Sequence, residues 1–108
     1  MEVLTNSSDL KKNVGKEVIL EGIMHMKKFR NKANKVIDFY EFWLEMSDGT
    51  WVLLRNNTGS PLSKEPFTHK VHLKGQLLFG NIDSNTTHIQ SRLGYRLDFT
   101  AWEIVERR

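Results

Sequence analysis

The chain has 108 residues, 39% of them apolar and 27% charged, with a formal net charge of +3. This length predicts a single domain spanning residues 1–108, because one core of this size can stand alone. The absence of cysteine excludes disulfides, thiolate zinc sites and a cysteine nucleophile.

No stretch approaches the roughly 18 consecutive apolar residues that a membrane span requires. The first residues also lack the cationic start and apolar run of a leader. We therefore expect a cytoplasmic protein without membrane insertion. The alternative is the mature domain of an exported protein whose leader has been removed.

The first predicted element is a short helix between Ser8 and Gly15. A serine hydroxyl can accept from the free amides of a first helical turn, and glycine suits the left-handed position after a helix. Residues 16–26 then alternate in a way that predicts a strand. Its inward face would carry Val18, Leu20, Gly22 and Met24, with Gly22 as the bending point.

The next segment, HMKKFRNKANK at residues 25–35, contains five cationic residues, so the rest of the chain is net negative. Such local basicity favours a specific anion-binding patch over general stickiness. Two interpretations are open. The segment is either a loop that contacts phosphates or the solvated tip of a hairpin.

Residues 38–56 predict a β-hairpin around Ser-Asp-Gly at positions 47–49. A three-residue loop with a left-handed Gly49 collects apolar residues on one face, whereas a two-residue turn mixes apolar and charged groups on both. The favoured register pairs Leu44 with Val52 and Phe42 with Leu54. The other face then pairs Glu41 with Arg55, Trp43 with Leu53, and Glu45 with Trp51.

Residues 57–69 predict a loop, because Pro66 stops any helical turn that begins after Ser60. Two further strands are predicted at 70–79 and 93–105, separated by a polar loop at 80–92. Gly75 would introduce a bend or bulge. The predicted inward residues are Val71, Leu73, Leu77, Phe79, Leu93, Tyr95, Leu97 and Phe99.

This order of elements favours an all-β protein, a five-stranded antiparallel barrel with a short N-terminal helix, because closure leaves no long sheet edge. At VGKEVILEGI (14–23), FWLEMSDGTWVLL (42–54) and HKVHLKGQLL (69–78) the chain resembles the OB-fold superfamily, the small barrels of anticodon-binding and single-strand-binding domains. The resemblance covers nearly the whole chain. One departure is that residues 57–69 form one turn at best, where many OB-folds have a helix.

The resemblance implies a ligand site across the second and third barrel strands, between the basic segment and the polar loop. Cationic and aromatic side chains in such a groove suit phosphates and stacked bases. The predicted binding residues are Lys27, Lys28, Phe29, Arg30, Lys32, Lys35, Trp43, Trp51, Arg55, Asn85 and Arg92. However, Glu41 and Glu45 lie on the same face, and carboxylates repel nucleic acid.

No motif predicts catalysis, a metal or a cofactor. Asp83, Asp98 and the serines form no nucleophile elbow, phosphate loop or paired-carboxylate spacing. His69 and His72 would point to opposite faces of a strand, and no cysteine or carboxylate cluster joins them. We therefore expect a binding module rather than an enzyme.

Two functions remain open from the sequence. The first is binding of single-stranded nucleic acid or another phosphate-bearing ligand, with the lysines and arginines on phosphates and the tryptophans stacked on bases. The second is a protein-protein interaction domain, such as an inhibitor, immunity or adaptor protein, that uses the mixed Trp and Glu face. Trp43 and Trp51 are also able to cover an apolar patch without any ligand.

Overall fold

A computed structural model of the chain describes the backbone of residues 1–30, 36–82 and 93–108, and the side chains of residues 1–27, 40–82 and 93–108. These residues form six strands: β1 (Val3–Leu4), β2 (Glu17–Arg30), β3 (Val36–Glu45), β4 (Trp51–Asn56), β5 (Lys70–Asn81) and β6 (Leu93–Glu106). Within the described part of the chain, no helix is long and apolar enough to cross a membrane.

All six strands belong to one sheet with the order β1-β2-β3-β4-β6-β5, and β2 also pairs with β5. The pairings that leave β2 through β3, β4, β6 and β5 therefore return to β2. The all-β prediction is confirmed, but five antiparallel strands are wrong in two respects. A sixth strand, β1, lies parallel to β2. In addition, the neighbouring strands β4 and β6 are parallel, because β5, which lies between them in the sequence, runs in the opposite direction.

The predicted N-terminal helix is instead two 3-10 turns, Ser7–Asp9 and Lys11–Asn13. Asn6, not Ser8, supplies the cap, since its side chain accepts from the Ser8 amide. The Asp48 carboxylate accepts hydrogen bonds from the backbone amide and the side-chain hydroxyl of Ser7. Leu10 is fully buried. This short segment has to meet both the hairpin loop and the core, which tight turns allow and a regular helix does not.

β2 has the predicted buried face, and it changes partner in its middle. It pairs with β5 from Glu17 to Ile23 and with β3 from Ile23 to Arg30. Gly22 lies at this change. A Cβ atom there would be 2.5 Å from the Glu45 carbonyl oxygen, so only glycine allows the two backbones to approach this closely.

The hairpin between β3 and β4 has the predicted three-residue loop and register. Gly49 is left-handed, with φ of 83°. Phe42 pairs with Leu54, and Leu44 with Val52. The pairing begins at Phe42, one residue short of the predicted Glu41 and Arg55 pair. Collection of apolar side chains on one face therefore correctly predicted the register.

The core contains inward side chains from all six strands together with Leu10. Its buried members are Leu4, Leu10, Val18, Leu20, Met24, Leu44, Met46, Val52, Leu54, Val71, Leu73, Leu77, Leu97 and Phe99. Phe79 and Leu93 were predicted inward but are exposed. They lie where β5 and β6 continue past their last pairings with β2 and β4, so no described strand faces them.

Candidate functional site

The outward side chains of β2, β3 and β4 form a continuous surface, here called the tryptophan face. Its members are His25, Lys27, Trp43, Glu45, Trp51 and Leu53. The strand registers place His25 opposite Trp43 and Trp43 opposite Leu53. Alternation of side chains along each strand puts these residues on the side away from the core.

Trp51 is the centre of this face. The imidazole of His25 lies 4.8 Å from the Trp51 ring, centroid to centroid, and the Lys27 ammonium lies 4.3 Å from the centroid. The Trp43 indole meets Trp51 edge to face at 6.4 Å. Two predicted aromatic residues and one predicted cation are therefore brought together. The cation contact contributes about 0.5–1 kcal/mol at an exposed site.

Glu45 has a hydrogen-bond partner in His25. The His25 Nε2 and Glu45 Oε1 atoms are 3.0 Å apart. The contact of His25 with Glu45 could not be predicted from the sequence, because it depends on the register between β2 and β3. The residues that connect these strands, 31–35, lie outside the described part of the chain. A known register would have revealed the pair.

The basic segment is strand as far as Arg30, four residues beyond the predicted end of the strand at Met26. Met26 pairs with Phe42, Lys28 with Tyr40, and Arg30 with Val36, with an irregularity between Lys28 and Arg30. The β5 pairing ends at Ile23 and the β4 pairing begins at Phe42. Residues 26–30 and 36–41 thus have no described pairing other than the one between β2 and β3, and we call them the basic arm.

The remaining predicted binding residues fall outside what the structure describes. For Lys28, Phe29 and Arg30 the backbone is described within β2, but the side chains are not. Lys32, Lys35, Asn85 and Arg92 lie outside the described residues altogether. Their proposed contacts remain predictions.

Arg55 is exposed at the other edge of the tryptophan face, opposite Asp98 of β6. The Asp98 carboxylate accepts a hydrogen bond of 2.8 Å from Arg96 Nε. Arg96 also lines a shallow cavity of about 260 Å³ with Leu78 and Gly94. Sequence reasoning missed Arg96, although alternation along the last strand would place it outward with Asp98.

Charged groups on this surface are largely arranged in opposite-sign neighbours. Arg96 binds Asp98 and Lys27 lies opposite Glu41 in the register, while Glu45 is hydrogen-bonded to His25. Such a surface can accept a ligand that has both anionic and flat apolar groups, since no isolated carboxylate dominates it.

The histidines noted in the sequence have separate partners. His69 Nδ1 accepts from the Arg108 amide, and His72 lies 3.0 Å from Glu21. No group of three or more His, Cys, Asp or Glu side chains in the described residues could hold a metal ion.

Comparison with protein-family models, with curated proteins and with solved structures gives no significant match to this chain.

Proposed function

We propose that the chain is an OB-fold-like barrel that binds single-stranded nucleic acid, or another phosphate-bearing ligand, on the tryptophan face without chemistry. Support for the fold comes from the cycle of pairings that leaves β2 and returns to it. The parallel contact of β4 with β6 also supports it. OB-folds use the corresponding surface for oligonucleotides.

The observation that carries the function is the position of Trp51 at the base of the basic arm. Lys27 lies over its ring, and the next residues of β2 include Lys28 and Arg30. Binding of single strands combines a cationic track for the backbone with aromatic rings for the bases. Cations and an aromatic ring are both present where Trp51 lies beside the basic arm.

The interaction energies indicate that a nucleic-acid base would bind the Trp51 ring more strongly than the Lys27 ammonium does. An exposed cation on an indole contributes about 0.5–1 kcal/mol, whereas a stacked base contributes about 1–3 kcal/mol. A base can therefore displace the Lys27 ammonium, which is then available to contact the adjacent phosphate. The Glu45 carboxylate beside this site is hydrogen-bonded to His25.

The first test is a titration of intrinsic tryptophan fluorescence with single-stranded DNA and RNA at several salt concentrations. Quenching is expected because bases stack on Trp51. If about four phosphates are neutralised, log K should fall against log salt with a slope near −3, at about −0.7 per phosphate. An affinity that does not change with salt contradicts the proposal.

A charge-reversal variant, Lys27→Glu with Lys28→Glu and Arg30→Glu, is expected to abolish oligonucleotide binding. The matched control reverses Lys11, Lys12 and Lys16, which are exposed near the N-terminus. Both variants change the net charge equally, so a general electrostatic effect would weaken binding in both. Loss of binding in the arm variant alone supports the proposal.

The pairing of charges favours a second candidate, in which the tryptophan face contacts a protein partner. Acidic and basic groups interspersed around aromatic anchors are typical of protein interfaces. In that case the arm variant keeps its partner, while Trp43→Ala and Trp51→Ala lose it. The same variants therefore separate the two functions.

A further inference from the structure

Among the described residues, no strand covers the outer edge of β2 along the basic arm. Up to Met24 this edge is occupied: the Met24 amide donates to the His69 carbonyl oxygen, and its carbonyl accepts from Thr68. Thr68 has a left-handed backbone, with φ of 68°, which turns the chain away from β2. In the described residues no strand lies beside β2 on this side beyond Ile23.

Alternation along a strand determines which backbone groups this edge presents. Neighbouring residues direct their N–H and C=O groups to opposite sides. Because Met24 directs both groups away from β3, Met26 does so too, while His25 and Lys27 face β3. No hydrogen bond joins the Met26 backbone to the described residues outside the strands. The edge therefore presents a donor and an acceptor that are ready to pair.

The inner face beside this edge carries accessible apolar side chains. Met26 is 40% exposed and Tyr40 is 44% exposed, although both continue the series of buried Met24 and Leu44. Phe42 lies opposite Met26 and packs on Phe67, with ring centroids 5.3 Å apart. An added strand would find apolar contacts for alternate side chains on this face.

The positive charge of residues 26–30 favours an acidic strand as the partner of this edge. Residues 26–30, MKKFR, contain three cations and no acid. Lysine on an edge strand opposes pairing with a like-charged strand, so a second copy of the arm would be repelled. An acidic strand would be attracted by the same groups. The fold already accepts such an addition elsewhere on β2, where the two-residue strand β1 pairs in parallel.

We propose that the basic arm binds an extended acidic segment of another protein, which adds as a strand to β2 at Met26. Its backbone pairs with Met26, its apolar side chains cover Met26 and Tyr40, and its carboxylates meet the cations of the arm. This interaction uses the edge of the arm and is independent of base stacking on Trp51.

The test uses the full chain and a fluorescent ten-residue peptide of alternating glutamate and valine. Saturable binding is expected, with slowed hydrogen exchange at the Met26 amide and unchanged exchange at His25. A peptide with the same side chains but N-methylated at alternate residues keeps the charge and loses the pairing donors. It is expected to bind at least about 10-fold more weakly, as loss of roughly two hydrogen bonds predicts.

Met26→Pro removes the outward N–H and is compatible with an edge strand. It is expected to weaken peptide binding about 5- to 10-fold, as loss of one hydrogen bond predicts, and to leave the salt-dependent binding of oligothymidine unchanged. If this variant does not fold, the N-methylated peptide still decides the question. Equal binding of both peptides overturns strand addition. Reversible self-association of the chain that Met26→Pro abolishes overturns the choice of an acidic partner.

Discussion

Two histidine-glutamate pairs lie on the two sides of β2, one toward β3 and one toward β5. His25 and Glu45 form the first, His72 and Glu21 the second, and in each the Nε2 and Oε1 atoms are 3.0 Å apart. Their chemistry is the same, and both lie on the outward side of the sheet. Their surroundings differ.

The first pair borders aromatic rings, and the second borders other ion pairs. His25 lies against Trp51. His72 has a second carboxylate, that of Glu103, at 3.8 Å. Lys74 bridges to Glu17 beside it. The second side can therefore be explained as a cross-strand network that stabilises the sheet, whereas the first side combines charge with flat apolar surfaces that a ligand can use.

The largest expected losses of stability come from replacing two glycines that lie close to the backbone of a neighbouring strand. Gly22→Ala places Cβ 2.5 Å from the Glu45 carbonyl oxygen, and Gly75→Ala places it 2.1 Å from that of Asp98. Each is expected to destabilise the protein by about 3 kcal/mol, the upper end for overpacking, in urea unfolding. Gly94→Ala is the control, because its nearest atom is 3.8 Å away. Similar losses in all three would contradict the packing account.

Double-mutant cycles on the two pairs sharpen the comparison at an intermediate scale. His72 and Glu21 are 23% and 27% exposed, against 30% and 40% for His25 and Glu45. A hydrogen bond between side chains contributes about 0.5–1.5 kcal/mol to stability. We expect the coupling energy of His72 with Glu21 to lie near the upper end of this range and that of His25 with Glu45 near the lower end. The reverse order would show that burial does not decide their strength.

The same variants give opposite expectations for binding. Replacing His72 or Glu21 by alanine should leave oligonucleotide affinity unchanged, because both lie across β2 from Trp51. Replacing His25 should weaken it, since His25 pairs with Glu45 beside Trp51. Equal losses on both sides would remove the distinction between a structural side and a binding side.

The smallest expected effect concerns Asp48, a carboxylate that belongs to neither pair. Hydrogen bonds from the Ser7 side chain and amide lower the pKa of Asp48 from 3.8 to about 2. Since the folded pKa is depressed, its contribution to stability is present above about pH 4 and is lost as pH falls through about 2. Asp48→Asn should remove this part of the acid dependence in urea unfolding at pH 2–5. An unchanged acid profile would contradict it.

The hairpin shows where sequence reasoning succeeds. One loop of three residues and the rule that apolar side chains share a face were enough for the pairing of Leu44 with Val52. Both constraints are local, because the two strands are separated only by the loop. The face that carries Trp43 and Trp51 followed from the same register.

The arm shows where it does not succeed. The sequence of residues 25–35 has no apolar alternation that would indicate a strand as far as Arg30, so the charges suggested a loop. Pairing with β3 extends the strand, and this depends on the register of Met26 with Phe42. The partner of Glu45 was missed for the same reason.

The sequence by itself determined the all-β class, the hairpin register, the buried face of β2 and the cluster of cations in residues 25–35. These depend on alternation and turn chemistry within short segments. Only the tertiary structure decided that β4 and β6 run parallel, that His25 and Lys27 meet Trp51, and that no described strand covers the edge of the arm. Each of these depends on contacts between residues distant in sequence, which local patterns do not specify.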